Sequence, residues 1–268
     1  METRDSEIKI PGKEDIPSPD RAAMEKCQSR WLSIAKPLFG LGTLEDAVTQ
    51  MAGMTGTADV SIDKKGLIVM CADNGVVEEG ISQTDSSVTA VVTDNFSRGL
   101  TSACIMSRAA GGEGFPIDIG VAADTKVYTD KIAYGTKNML KEPAMTREEA
   151  EGSILAGIRA AKRLKKEGYQ ILLTGEMGIG NTTTSSAVAS VLLGEDPERL
   201  SGRGAGLSDA GLQRKREVIR RAIGLWKPDP ADPVDVLAKV GGFDIGGLAG
   251  GFLGGAMGRL PGGVGGFI

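Results

Sequence analysis

Histidine is absent from all 268 residues. That absence removes His-based nucleophile triads, imidazole general bases and the usual His-containing zinc sites. Cysteine is scarce: Cys27, Cys71 and Cys104 are odd in number and share no C-x-x-C spacing. They read as buried small hydrophobes in a reducing compartment, not as a disulfide framework, and no metal site is expected. Aromatic residues make up only 4% of the chain, which argues against a platform for stacking single-stranded bases. An excess of cationic side chains is lacking as well. With 31 Lys and Arg against 35 Asp and Glu, a net charge of −4 and no basic stripe, no nucleic-acid partner is expected. The first residues, Met-Glu-Thr-Arg-Asp-Ser-Glu, have no apolar signal core, so the expected location is cytoplasmic.

Glycine is what the chain has in plenty. Its 39 residues are about twice the usual share of roughly 7%. One cluster follows a short apolar run. Ile171 to Thr174 reads as a buried parallel strand, Gly175, Gly178 and Gly180 break the pattern, and Asn181 to Ser186 opens a helix. A strand, a glycine turn and a hydroxyl-rich helix start form an anion trap, because free backbone N–H groups and the positive helix end face a phosphate. Thr182, Thr183 and Ser185 add hydroxyl donors. No lysine follows the glycines as in a Walker loop, and no third glycine completes a dinucleotide fingerprint. The plainer alternative is a tight β–α turn capped by Asn181, its hydroxyls merely satisfying the helix end. Glu176 weighs toward function, since a carboxylate inside an anion-binding turn is a local conflict.

Elsewhere the chain alternates strands with helices. Residues 1–17 read as a polar arm, Ser18-Pro19-Asp20 as a helix start with Pro in the first turn, and 44–51 as a second helix. Gly66 to Asp73 is a nearly continuous apolar run, as expected of a strand covered on both faces. Residues 84–107 read as one long helix interrupted near Gly99, and Phe115 to Val121 as the next strand. Thr146-Arg147-Glu148-Glu149 is a capping box whose helix runs to about Lys166, with Lys162, Arg163, Lys165 and Lys166 on a solvated face. A second glycine turn, Gly202-Arg203-Gly204-Ala205-Gly206, precedes a helix carrying Lys215. Between Phe243 and Gly258 glycines recur every four residues, at 246, 250, 254 and 258 and again at 247, 251 and 255, which permits close helix packing. That segment contains Asp244 and is too short and glycine-rich to cross a membrane. The alternation implies an α/β fold, a doubly wound parallel sheet of Rossmann-like type, with a small helical lobe over 1–52 and the main α/β domain over 53–268. Asp73 and Asp118, at strand ends, either face the ligand cleft or cap the turns that follow.

Gly-Glu-Met-Gly-Ile-Gly-Asn-Thr-Thr, at 175–183, resembles the signature of the nicotinate-nucleotide:dimethylbenzimidazole phosphoribosyltransferases, which activate the lower ligand of cobamides. The likeness covers nearly the whole chain in order. It includes Lys36-Pro37 with Leu44-Glu45, Ala72-Asp73-Asn74-Gly75-Val76, Asp118-Ile119-Gly120, and Val240-Gly241-Gly242-Phe243-Asp244. The resemblance implies transfer of 5-phosphoribosyl from nicotinate mononucleotide to an aromatic base, without a cofactor, giving an α-riboside phosphate. It places Gly175, Gly178, Gly180, Asn181, Thr182, Thr183, Gly202, Arg203, Gly204, Lys215 and Asp73 at the nucleotide, and Glu176 as the catalytic carboxylate.

The sequence also departs from the pattern. Asn74 stands where the family has His, and Val91 and Val92 occupy a stretch that lines the family's base pocket and carries a Gln there. Gly265 stands at the family's Asp, and the C-terminal glutamate that serves the family as general base has no counterpart in the chain. Two expectations follow from the resemblance: an active subunit of a homodimer, or a shortened partner of a full-length paralogue in a heterodimer. The acceptor is dimethylbenzimidazole or a phenol in either case. A third reading, a nucleotide-binding protein without catalysis, uses the same turn.

Overall fold

The computed structural model describes residues 9–264. In chain order the helices are α1 (Arg21–Ser33), α2 (Thr43–Thr55), α3 (Ser87–Ser97), α4 (Ser102–Ala109), α5 (Arg147–Lys166), α6 (Asn181–Leu193), α7 (Pro197–Leu200), α8 (Asp209–Trp226), α9 (Pro233–Val240) and α10 (Phe243–Met257). The strands are β1 (Lys65–Ala72), β2 (Gly112–Gly120), β3 (Tyr128–Thr129), β4 (Ile171–Met177) and β5 (Gly262–Gly263). They form one parallel sheet in the order β3-β2-β1-β4-β5. The α/β, doubly wound architecture is therefore as the alternation of elements implied.

The apolar run of β1 is explained by its two covered faces. Ile68, Met70 and Ala72 point into the larger core beneath α5, α9 and α10. Val69 and Cys71 point the other way, against Phe96 of α3 and Cys104 of α4. Helices on both sides leave no solvated face, so alternation of polar and apolar residues is lost. Strand order places the reversal of winding between β1 and β4, since the chain first builds outward to β3 and then returns to β1's other side. In open α/β sheets ligands bind at the carboxyl ends of the strands flanking that reversal.

Several local expectations are met and some are corrected. The capping box at Thr146 and Glu149 forms, and α5 ends at Lys166. The break near Gly99 separates α3 from α4, with Gly99 at φ +67°. Helix α1 is capped by Asp20, whose carboxylate accepts the Ala23 N–H at 3.0 Å, so Pro19 lies outside the first turn. Helices α1 and α2 enclose their own small cluster around Cys27 and Ala52. The C-terminal Gly262 and Gly263 pair with Leu172 and Leu173 although neither offers the β-branched side chain that strands favour. Gly265 falls outside the described residues.

The four-residue glycine repeat is the seam between α5 and α10. A Cβ on Gly250 would meet the Ile154 carbonyl oxygen at 1.9 Å, and one on Gly246 would meet Ser153 Oγ at 1.9 Å. From the facing helix, a Cβ on Gly157 would meet the Gly247 carbonyl oxygen at 1.9 Å. The two backbones are in contact, and that contact holds a helix whose composition is intrinsically poor for helix. Gly250→Ala is therefore expected to destabilise the protein by about 2–4 kcal/mol in urea unfolding, overpacking outweighing the gain in helix propensity. Gly251→Ala, where a Cβ meets nothing within 4 Å, is expected to be neutral or stabilising by up to about 1 kcal/mol. Equal losses at both positions would contradict the seam.

Candidate active site

The carboxyl ends of β1 and β4 lie side by side and continue into Asp73-Asn74 and Gly178-Ile179-Gly180. Gly178 approaches the end of β1 so closely that a Cβ would meet the Ala72 carbonyl oxygen at 2.2 Å. Gly180, at φ +91°, is the N-cap of α6 and has Val77 Cγ2 where a side chain would stand. Both glycines are thus required by backbone geometry. The turn is also clamped from outside. Thr89 of α3 accepts the Ile179 N–H at 3.1 Å, and fully buried Asn74 donates from Nδ2 to the Ile179 carbonyl at 3.5 Å while its Oδ1 accepts from the Thr184 hydroxyl at 3.3 Å.

This geometry changes two expectations about the turn. Strand β4 does not stop at Thr174 but continues to Met177, because Gly175 pairs with Val69 and Glu176 with Met70. Gly175 consequently lies in the strand, three residues before the turn. Asn181 is the first residue of α6 and not its cap; its Nδ2 donates to a Glu176 carboxylate oxygen. Part of the backbone donor set is consumed internally, with the Asn181 and Thr183 N–H groups bonded to the Gly178 and Gly180 carbonyls at 3.2 and 2.9 Å. Among the described residues, the N–H groups of Gly180 and Thr182 have no hydrogen-bond partner. Those two, with the positive end of α6, are the donors available to an anion.

The second glycine turn is brought against the first by Lys215. This side chain of α8 is fully buried, and its Nζ donates to Thr182 Oγ1 at 2.8 Å and to the Gly202 carbonyl at 3.2 Å. No carboxylate pairs with it among the described residues, and burial alone pushes the ammonium down to about 8. Gly204 lies over Thr182, where a Cβ would come within 3.0 Å of Oγ1, and Gln83 donates to the Gly206 carbonyl across the opening. Between the turns is a cavity of about 100 Å³ lined by Gly178, Gly180, Asn181, Thr182, Arg203 and Gly206. Arg203 is exposed at its rim, donating to the Leu207 carbonyl at 2.8 Å and pairing with Asp209. The Thr183 hydroxyl is buried without a hydrogen-bond partner among the described residues.

Carboxylates gather on the other side of the turn. Burial pushes Glu176 up to about 7, the nearby Asp244 adds to the shift, and the Asn181 amide opposes it. Fully buried Asp244 is likewise pushed up to about 7 by burial, with its own and the Ile245 backbone N–H opposing and the charge of Asp73 adding. Asp73 is raised by burial in spite of the Ala122 N–H that one oxygen accepts at 2.9 Å. Asp118 takes the plainer role. It accepts the Val121 N–H at 2.9 Å and the Thr125 hydroxyl at 2.8 Å and is met by Lys131 at 3.1 Å, which caps the turn after β2.

Other residues of the site gain a role only in the structure. Asn74 and Thr89 hold the turn, and Asp244 joins the carboxylates. A signal for Asp244 exists in the sequence, since an acid beside the start of a buried, glycine-rich helix is as much a local conflict as Glu176. Val91, expected at the base pocket, is exposed on α3, while Val92 turns toward the core of Val69 and Phe96.

A family profile described as a phosphoribosyltransferase matches residues 16–268. A buried, unpaired lysine beside an anion-binding turn at the reversal of a doubly wound sheet is consistent with that class. Among the relatives, the nicotinate-nucleotide–dimethylbenzimidazole phosphoribosyltransferase of Ruminiclostridium cellulolyticum is 51% identical over 248 residues, covering 91% of this chain and 70% of the relative. That of Clostridium acetobutylicum is 50% identical over 252 residues, covering 93% and 72%. A crystal structure of CobT from Thermus thermophilus superposes with a TM-score of 0.85 at 36% identity, over 90% of this chain and 73% of that one. The chain belongs to the nicotinate-nucleotide–dimethylbenzimidazole phosphoribosyltransferase family.

No helix among the described residues is long and apolar enough to cross a membrane.

Proposed function

We propose that the protein transfers 5-phosphoribosyl from nicotinate mononucleotide to an aromatic nitrogen base of the dimethylbenzimidazole class. The observation that carries this reading is Lys215, a buried cation without a carboxylate partner, anchored to both glycine turns at Thr182 and Gly202. A phosphate dianion supplies the missing counter-charge. The Gly180 and Thr182 N–H groups and the α6 dipole complete the cradle, with Arg203 at the rim. This assigns Gly178, Gly180, Asn181, Thr182, Thr183, Gly202, Arg203, Gly204 and Lys215 to the nucleotide. Gly175 serves only as a strand residue paired with Val69 ahead of the site, and Asp73 as a support of the turn after β2.

Chemistry then falls to the acid side. The ring nitrogen of the incoming base attacks C1′ of the ribose from the face opposite nicotinate, forming the new C–N bond as the old one breaks. Nicotinate leaves with the bonding electrons, which neutralise its pyridinium nitrogen. The proton of the attacking ring passes to the Glu176 carboxylate. A leaving group this good leaves the protein two tasks, positioning the reactants and accepting a proton. Because Glu176 titrates near 7, kcat/KM is expected to fall as pH drops below about 7, where the acceptor is already protonated. A flat profile from pH 5.5 to 8 would exclude it as the acceptor.

A dimer belongs to the same proposal, favoured by the exposed Val91 of α3, Ile105 and Met106 of α4 and Leu100 between them. Its partner is a second copy, or a paralogue if the chain works as a supporting subunit. The division into a helical lobe over 1–52 and a phosphoribosyl-binding domain over 53–268, and a cytoplasmic location for three buried free thiols, are likewise part of this reading. The test is competition between dimethylbenzimidazole and phenol for phosphoribosyl, read by product chromatography. The expected result is the benzimidazole riboside in excess. Phenyl riboside as the main product would overturn the acceptor class while leaving the transfer reaction in place.

A further inference from the structure

The second glycine turn, residues 202–206, is exposed throughout, yet its ends are fixed: Ser201 is 8% exposed and Leu207 9%. It is also braced within itself. The Gly206 and Leu207 N–H groups donate to the Arg203 carbonyl at 3.1 and 2.9 Å, and the Arg203 guanidinium donates in return to the Leu207 carbonyl at 2.8 Å. Gly204 at φ +54° and Gly206 at φ +112° hold conformations that glycine adopts at little steric cost. A short exposed segment with internal bracing and buried ends can swing as a unit, the behaviour of an active-site lid.

Gly204 lies over Thr182, whose N–H is one of the two free donors of the first turn, so the second turn covers the floor of the cavity. The opposite wall is the segment 81–83, fixed by Ile81, which is buried in the main core. From that wall the exposed Gln83 side chain donates from Nε2 to the Gly206 carbonyl. Among the described residues no other hydrogen bond joins residues 203–206 to the opposite wall. Lys215 holds the inner end of the turn, at the Gly202 carbonyl. The enclosed volume of about 100 Å³ is well below the roughly 300 Å³ at the lower end of small-molecule pockets. A phosphate group fits within it, whereas a phosphate carrying a ribose and a base does not.

We propose that the second glycine turn is a lid over the phosphate cavity, latched by Gln83, which opens to admit a phosphorylated nucleotide and closes behind it. The lid rests on the reading of this cavity as a phosphate site and needs nothing of the transfer chemistry. Gln83 is a positioning residue that acts through Gly206, without touching the ligand. An exposed hydrogen bond between neutral groups has modest net worth, so the latch is readily released. Weakening it raises the open population of the empty and the loaded protein alike. Nucleotide then enters and leaves faster, while affinity is nearly unchanged.

Gln83→Met keeps the stem without the donor, and Gln83→Glu replaces the donor with an acceptor that the Gly206 carbonyl repels. The side chain is exposed, so neither variant removes buried structure. Phosphorus NMR line shapes of nicotinate mononucleotide and of inorganic phosphate, combined with calorimetric Kd values, give association and dissociation rates. Both rates are expected to rise about two- to tenfold in both variants, with Kd within about threefold of wild type. Acylation of Lys215, fully buried between the two turns, reads opening without any ligand. Followed by peptide mass spectrometry, it is expected to speed up by the same factor. Unchanged rates in both assays would overturn the lid. So would faster dissociation alone, the mark of a Gln83 that touches the ligand or merely braces the turn. Faster acylation and faster phosphate exchange, with no binding of the nucleotide by any form, would leave the lid standing and overturn the nucleotide reading.

Discussion

Glu176→Gln is expected to lower kcat by about 10²–10⁴-fold with little change in KM for nicotinate mononucleotide, and to make the protein more stable at pH 8. Both effects come from one property of the side chain. Glutamine has the same shape and can still accept the Asn181 amide hydrogen, so the turn after β4 is kept. What disappears is the proton acceptor. The stability effect follows from the sign of the shift. The folded protein raises Glu176 from 4.5 to about 7, so its favourable contribution is complete below about 4.5 and is lost as pH rises through about 7. Above that pH the wild type holds a poorly solvated charge, and Glu176→Gln does not. Removing it is expected to stabilise the fold by on the order of 2 kcal/mol after allowing for partial exposure, seen as a higher Tm at pH 8 and little difference at pH 5. Loss of activity together with loss of stability would mean that Glu176 is structural.

Lys215→Met is expected to weaken nicotinate mononucleotide binding by about 10²–10³-fold, because it removes a charge-assisted contact made in a buried site. Methionine keeps much of the stem's volume, and the variant gives up two hydrogen bonds, to Thr182 Oγ1 and the Gly202 carbonyl. Against that stands relief of a buried, unpaired amine. Burial lowers Lys215 from 10.5 to about 8, so the stabilising neutral state is lost as pH falls through about 8 and the wild type bears the charged form's cost at pH 7. The apo variant is therefore expected to fold with stability within about 1–2 kcal/mol of wild type while its ligand affinity falls steeply. A dianion bound beside the amine raises it again, so nucleotide binding at pH 8–9 is expected to take up protons. Calorimetry in buffers of different ionisation enthalpy measures that uptake directly. Binding without proton uptake, or an unaltered Kd in Lys215→Met, would remove Lys215 from the phosphate site.

How much of this is legible in the sequence depends on whether the information is local. The apolar run of β1, the capping box of α5 and the glycine turn at 178–180 are local signals, and each appears where the residues put it. The end of β4 escapes a local reading because glycine counts there as a breaker, whereas Gly175 is held in the strand by pairing with Val69, a tertiary contact. Asn181 escapes as the expected cap for the same reason: its propensity is local, but its amide is claimed by Glu176. The period-four glycines announce close packing, though not that the facing surface is α5. Lys215 is indistinguishable by spacing from Arg214, Arg216, Arg220 and Arg221 around it, and only the resemblance selects it. In the structure Lys215 is buried, while Arg220 pairs with Asp196 at 2.9 Å and Arg216 with Glu198 at 3.4 Å. Asp244 and Asn74 acquire their roles from neighbours far away in sequence, so no window around them contains the reason.

The reaction proposed is the movement of phosphoribosyl between two bases by this chain itself. The direct measurement is incubation of the purified chain alone with nicotinate mononucleotide and dimethylbenzimidazole, with nicotinate and riboside phosphate quantified together and the anomeric configuration read by NMR. Nicotinate and α-riboside phosphate are expected in equal amounts, both dependent on the acceptor base and both lost in Glu176→Gln. Tight nucleotide binding with no product, or product only when a full-length homologue is added, would contradict it and make the chain a supporting subunit.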